Sequence, residues 1–249
     1  MAAFIGGQAA TARAERGHAP MSGVVQTATH AGRGASAPIR AADPRRIILT
    51  MSRPLIALDA DGVLVDFHRG YAEAWERAFG KAPPERDPLA YWPMDRWQVD
   101  RLDDAGRLRF RRYFDKQFWS TLPAIEGAVD ACRRLHEAGF DLVCISALDL
   151  EFEAARLDNL RALGFPLDRV VATGHVEGGR SPKAGAIEAL QPVAFVDDYL
   201  PYLRGLPAHV HTALVLRAPN GSPNAGPEMA LARSVHQDLA EFTDYWLAR

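Results

Sequence analysis

Asp59 and Asp61 stand two residues apart, with the apolar run LIAL (55–58) before them and Gly62 after them. Paired carboxylates at the tip of a buried strand repel one another unless something positive shares the place. Other polar residues end apolar runs in the same way. Ser146 closes DLVCIS (141–146), and Asp197 and Asp198 close VAFVDD (193–198). Lys183 lies at the start of the helix-like SPKAGAIEAL (181–190). Together these are four carboxylates, a hydroxyl and an ammonium. Hard oxygen donors without soft ligands favour Mg2+, so Asp59, Asp61, Asp197 and Asp198 are candidate metal ligands. Lys183 stands out by rarity, being one of three Lys against 26 Arg. A cation in the first helical turn opposes the helix dipole at a cost of ~0.3–1 kcal/mol. A compact ammonium that binds phosphate oxygens would account for it.

These residues need a frame, and strand and helix patterns alternate to supply one. Strands are expected at 55–58, 141–146, 169–172, 193–198 and 209–216. Helices are expected at 126–139, 150–164, 181–190 and 234–247, the third opening with Ser181 as N-cap and Pro182 in the first turn. Short strands separated by helices predict crossover units and an α/β fold built on a doubly wound parallel sheet. In such sheets ligands bind beyond the carboxyl ends of the strands, where all the residues above fall.

One segment breaks the rhythm. Residues 67–119 hold 12 of the 22 aromatics and four of the five Trp. Tyr71, Ala74, Trp75, Ala78 and Phe79 share one helical face, and a second helix is expected near 101–118. The expected organisation is a leader at 1–50, a catalytic core at 51–66 and 120–249, and a helical cap at 67–119. The leader is rich in Ala, Gly, Ser, Thr and Arg and lacks apolar periodicity, a disordered composition; a transit peptide or an over-extended start are the alternatives.

Composition bounds the rest. The chain has 249 residues, 48% hydrophobic, and a net charge of −2. Residues 1–50 carry six Arg and two acids, +4, which leaves −6 on the remainder. An acidic body gives no electrostatic footprint for duplex nucleic acid. No apolar run approaches 18 residues, so no membrane span is expected. Cys132 and Cys144 lie in separate apolar runs and read as reduced core thiols of a cytoplasmic protein. The oligomeric state is not legible.

DADGV (59–63), the strand ending at Ser146, Lys183 before a helix, and VDD (196–198) resemble, in order, the four motifs of the haloacid-dehalogenase superfamily. The resemblance implies a Mg2+-dependent phosphatase acting through an aspartyl-phosphate on a small phosphorylated metabolite. Asp59 would be the nucleophile and Asp61 the acid and base. Ser146 and Lys183 would bind the phosphoryl group. Mg2+ would be held by Asp59, the Asp61 carbonyl and Asp197, with Asp198 behind them. DADGVLVDF resembles more narrowly the 5'(3')-deoxyribonucleotidases, where an aromatic at the place of Phe67 stacks on the nucleobase. A receiver-type phosphorylation switch, or a catalytically inactive binding protein on the same fold, is the alternative. A receiver places its acidic pair first and its Lys last, whereas here Lys183 precedes the acidic pair. His68 is placed near the site entrance. RLRFRR (107–112) could touch substrate phosphates or form a solvated face, and His209 and His211 are too few for a metal site.

Overall fold

Six short apolar runs pair as one sheet: β1 (Leu55–Leu58), β2 (Asp141–Ser146), β3 (Val170–Ala172), β4 (Ala194–Asp197), β5 (His211–Val215) and β6 (Ser234–His236). The structure is a computed structural model that describes residues 53–175 and 179–249; the leader expected at 1–50 lies outside the described residues. All pairings are parallel, in the order β3-β2-β1-β4-β5-β6. That is a doubly wound sheet, as expected, and its order reverses between β1 and β4.

The strands β1 to β5 are buried on both faces, so their alternation divides two cores. Ile56, Leu58, Cys144 and Val196 point to one side. There they meet Cys132 and Leu135 of α5 (Ala128–Glu137), Leu160 of α6 (Glu153–Ala162), and Leu239 and Phe242 of α8 (Leu239–Leu247). Ala57, Val143, Ile145, Phe195 and Leu214 point to the other side, where Ile187 of α7 (Ala184–Leu190) and Leu200 and Leu203 cover them. Both cysteines are buried free thiols.

Between β1 and β2 the chain makes α1 (Phe67–Phe79), α2 (Pro93–Arg96), α3 (Asp104–Arg111) and α4 (Lys116–Thr121). The detour leaves and returns at one place. Val65 bridges Ala124, Asp66 N–H donates to Pro123 O at 2.8 Å, and Ile125 N–H donates to Leu64 O at 3.0 Å. Asp66 then caps α1, accepting from the N–H groups of His68 and Arg69.

Three expectations need correction. The single helix near 101–118 is two, because the Asp115 carboxylate takes Phe118 N–H and starts α4 afresh. The closing helix does not begin at 234. Ser234–His236 adds β6 beside β5, and α8 starts only after Asp238, whose carboxylate caps Glu241 N–H. Ser181 does use its hydroxyl as a cap, on Lys183 N–H at 3.2 Å, but it closes a turn and the helix begins at Ala184. Lys183 is therefore the helix's N-cap residue and lies outside its first turn.

Candidate active site

The β1 tip is held by its neighbour: Asp59 N–H donates to Val196 O at 2.9 Å, in register with β4. This puts Asp59 beside Asp197 and Asp198, at the point where the strand order reverses. The three carboxylates are buried, and one oxygen from each lies within 4.8 Å of the others. The Lys183 ammonium lies between two of them, 2.6 Å from Asp59 Oδ1 and 2.6 Å from Asp197 Oδ2. It is wholly buried against the rings of Tyr202 and Phe195. Burial works against the Lys183 charge, but Asp197 and Asp59 outweigh it and hold the ammonium protonated. Burial also pushes Asp197 and Asp198 well above the usual carboxylate range, and the Asp59 charge pushes the same way. Three carboxylates against one ammonium leave a dense, uncompensated negative charge. An all-oxygen donor set of this kind fits a hard divalent cation.

Backbone groups around the acids are fixed too. Asp197 Oδ1 accepts Tyr199 N–H at 2.9 Å, and the Asp198 carbonyl accepts Asn224 Nδ2–H at 2.7 Å and the Tyr91 hydroxyl at 3.4 Å. Gly62 adopts φ +91, and a Cβ there would run into the Asp198 carboxylate. The Arg217 Nε–H binds the Gly62 carbonyl at 2.9 Å.

Asp61 turns away from the trio. Its Oδ1 takes Arg156 Nη2–H at 2.7 Å. Burial raises the Asp61 pKa and Arg156 opposes the shift. Arg156 has no exposed surface, lies over the Trp119 ring at 5.1 Å, and keeps Nε and Nη1 unpartnered among the described residues. Ser146 ends β2 with 2% exposure, and its hydroxyl has no hydrogen-bond partner among the described residues. Asp59, Lys183, Asp197 and Asp198 thus meet directly; Asp61 stands two residues past the β1 tip, and Ser146 at the tip of the adjacent β2.

Phe67 lies among the rings of the inserted helices. It is 2% exposed, its ring stacked on Phe114 at 6.2 Å and edge-on to Phe118 at 5.7 Å. It packs among the inserted helices. His68 is fully buried, not at an entrance, with both ring nitrogens unpartnered among the described residues; burial, then Arg217 and Arg96, lowers its pKa to about 3. Arg107, Arg109 and Arg111 are on the exposed surface of α3. His211, the first residue of β5, binds Ser234 Oγ at 2.9 Å, at the end of the strands opposite the trio. Sequence reasoning missed Arg156, Arg217, Tyr91 and Asn224. Only Arg156 left a signal, since it shares a helical face with Ala155, Asn159 and Leu160, which are all buried.

Residues 53–164 match the family model described as "5' nucleotidase, deoxy (Pyrimidine), cytosolic type C protein". Two proteins named "Putative 5'(3')-deoxyribonucleotidase" are similar over 103 residues, 37% identical in Bordetella pertussis and 36% in Bordetella bronchiseptica. The match takes in 40% of this chain, and the chain spans about half (52%) of each relative's length. Among solved structures, a HAD family hydrolase from Deinococcus radiodurans R1, with bound phosphate and sodium, aligns at TM-score 0.53 and 18% identity, over 79% of this chain and 96% of that one. A haloacid dehalogenase-like family hydrolase from Streptococcus pneumoniae aligns at TM-score 0.52 and 13% identity, over 78% and 99%. The likeness to these solved structures is one of fold, and the likeness to the nucleotidase family model lies in residues 53–164.

Proposed function

We propose that the chain is a Mg2+-dependent phosphomonoester hydrolase that acts on a small phosphorylated metabolite, a nucleoside monophosphate being the first candidate. One observation carries the reading: a buried ammonium bridges Asp59 and Asp197 at the strand tips while Asp198 stands beside them. The names of the similar proteins support the nucleotide.

The step assigned to each residue follows from what it touches. Lys183 lies 2.6 Å from Oδ1 of Asp59, so the second oxygen is assigned as the attacking atom. Its lone pair forms the new bond to phosphorus as the ester P–O bond breaks. The leaving oxygen takes a proton from Asp61, whose raised pKa suits a proton donor. Asp61 then accepts a proton from water as that water attacks phosphorus, and the bond between Asp59 and phosphorus breaks. Phosphate leaves, Asp59 is again a free carboxylate and Asp61 again carries its proton. The Ser146 hydroxyl and Lys183 bind the oxygens of the transferring group, since phosphoryl transfer depends mostly on positioning and charge neutralisation. Asp59, Asp197 and the Asp61 carbonyl would hold Mg2+, with Asp198 alongside. The ion would neutralise charge on the phosphoryl oxygens.

The segment 67–119 is proposed as a cap over this site. Tyr91 N–H binds Asn220 O at 2.9 Å and the Tyr91 hydroxyl reaches Asp198, while Trp119 of α4 lies on Arg156, so the segment reaches both flanks of the strand tips. No helix among the described residues is long and apolar enough to cross a membrane. The free buried thiols support a reducing, cytoplasmic location. A screen for phosphate release from nucleotides, sugar phosphates and small esters, with Mg2+ and with EDTA, tests the reading. Metal-dependent release from at least one class is expected, and no release from any class contradicts it.

A further inference from the structure

Away from the strand tips, α1, α3 and the segment between α2 and α3 enclose a cavity of about 240 Å³. Four of its lining residues form a continuous aromatic wall. Tyr71 meets Phe110 at 5.0 Å, Trp75 meets Phe110 at 5.3 Å, and Phe110 meets Phe114 at 5.0 Å between ring centroids. The lining also includes Val99 and Leu102. None of the residues proposed for phosphoryl transfer lines it.

Two features of the lining bear on what the cavity could hold. Tyr71 lines it with 7% exposure, and its hydroxyl makes no hydrogen bond to the described residues. The charges lining the cavity are also unbalanced. Arg101, Arg107 and Arg111 line it against the single carboxylate of Asp100. Arg107 is committed to Asp104 and to the Leu102 carbonyl, whereas Arg101 and Arg111 make no ion pair among the described residues.

We propose that this cavity is a second binding site, taking a planar aromatic carboxylate of one or two fused rings. The rings lie on the aromatic wall, where offset or edge contacts add to the area buried. The carboxylate faces Arg101 and Arg111, which bind it through charge-assisted hydrogen bonds. The Tyr71 hydroxyl, which lines the same cavity, donates to that carboxylate. The volume sets the size limit, since pockets for drug-sized ligands start near 300 Å³. This inference does not rest on the proposed hydrolysis.

The test titrates the full chain with 2-naphthoate and, as a neutral match in shape, 2-naphthol, by calorimetry and by quenching of Trp fluorescence. Saturable one-to-one binding of naphthoate is expected, with naphthol weaker by about tenfold or more, the scale of one charge-assisted hydrogen bond. The double variant Arg101→Ala/Arg111→Ala changes only exposed side chains and should bring naphthoate down to the naphthol level. Leu102→Trp should fill the cavity and abolish both. Saturating inorganic phosphate should leave naphthoate binding unchanged, which separates this cavity from the strand-tip site. Absence of saturable binding, equal affinity for the two probes, or competition by phosphate overturns the proposal. So does naphthoate affinity that survives loss of both arginines. A concentration-dependent dimer that excludes naphthoate also overturns it and assigns the cavity to a second copy of the chain.

Discussion

Arg156 decides how Asp61 can behave. A guanidinium with no exposed surface is tolerated because Asp61 answers its charge, and Asp61 is oriented because Arg156 holds one of its oxygens. Removing one partner of such a pair leaves a buried charge uncompensated, at a cost of about 3–5 kcal/mol. Arg156→Met should therefore lose stability on that order in equilibrium unfolding, and adding Asp61→Asn should recover most of it. A loss below about 1 kcal/mol, the range of exposed pairs, would mean the pair is not buried as described. His68 makes a pH-dependent contribution. Its folded pKa is about 3 against an ordinary 6.5, so the folded state keeps it neutral. Above pH 6.5 neither state binds the proton and its contribution is complete. As pH falls from there towards 3 the unfolded state protonates first, and stability is lost. His68→Phe should lose less stability than the native chain between pH 6.5 and 4 in parallel urea titrations. Identical slopes would remove His68 from the account.

At the scale of elements, two short connections set the site. The turn after β1 needs a residue at φ +91 with no side chain beside Asp198, and only glycine meets both conditions. Gly62→Ala should displace the Asp198 carboxylate, and phosphatase activity should fall by an order of magnitude or more, the scale of an angstrom-level misplacement of catalytic groups. Unchanged turnover would show that Asp198 can move without consequence. The second connection is the break at Asp115, which caps α4 and pairs with Arg77 at 2.7 Å. Asp115→Ala should cost roughly 1–2 kcal/mol through the lost cap, read from the urea midpoint. The strand-tip acids were legible because parallel strands are near-continuous apolar runs, and a charge at their end is conspicuous. The break at Asp115 was not. The aromatics on both sides of it keep a helical spacing, and one capping carboxylate is a weak signal among many surface acids. Ser234–His236 was read as helix for a related reason: three residues with one apolar member carry no period, and only pairing with β5 makes them a strand.

For the whole molecule, sheet order and charge act together. The six-stranded order brings β1 against β4, and so brings Asp59, far away in sequence, against Asp197 and Asp198. The fold class and this convergence could be read from the alternation of strands and helices and from the order of the motifs. The burial of Phe67 and of Arg156 could not, since each depends on how the inserted helices settle against α6 and one another, which no local pattern specifies. The acid trio also predicts a response to metal. At a hundredfold excess over Kd, a ligand that binds only the folded state adds about 2.7 kcal/mol. Saturating Mg2+ should raise the Tm of the native chain, and Asp197→Asn should abolish most of that rise. An equal rise in both would place the ion elsewhere.

In the proposed reaction Asp59 attacks phosphorus while Asp61 moves the protons. Intact-mass measurement of the Asp61→Asn variant, mixed with Mg2+ and an aryl phosphate whose leaving group needs no proton, tests it most directly. Asp61→Asn should take up one phosphoryl group on Asp59 and then stall, with turnover reduced about 10²–10⁴-fold, the worth of general acid–base help. Asp59→Asn should gain no mass and release no phosphate. A phosphoryl group found on any other residue, or Asp59→Asn turning over near the native rate, would contradict the account.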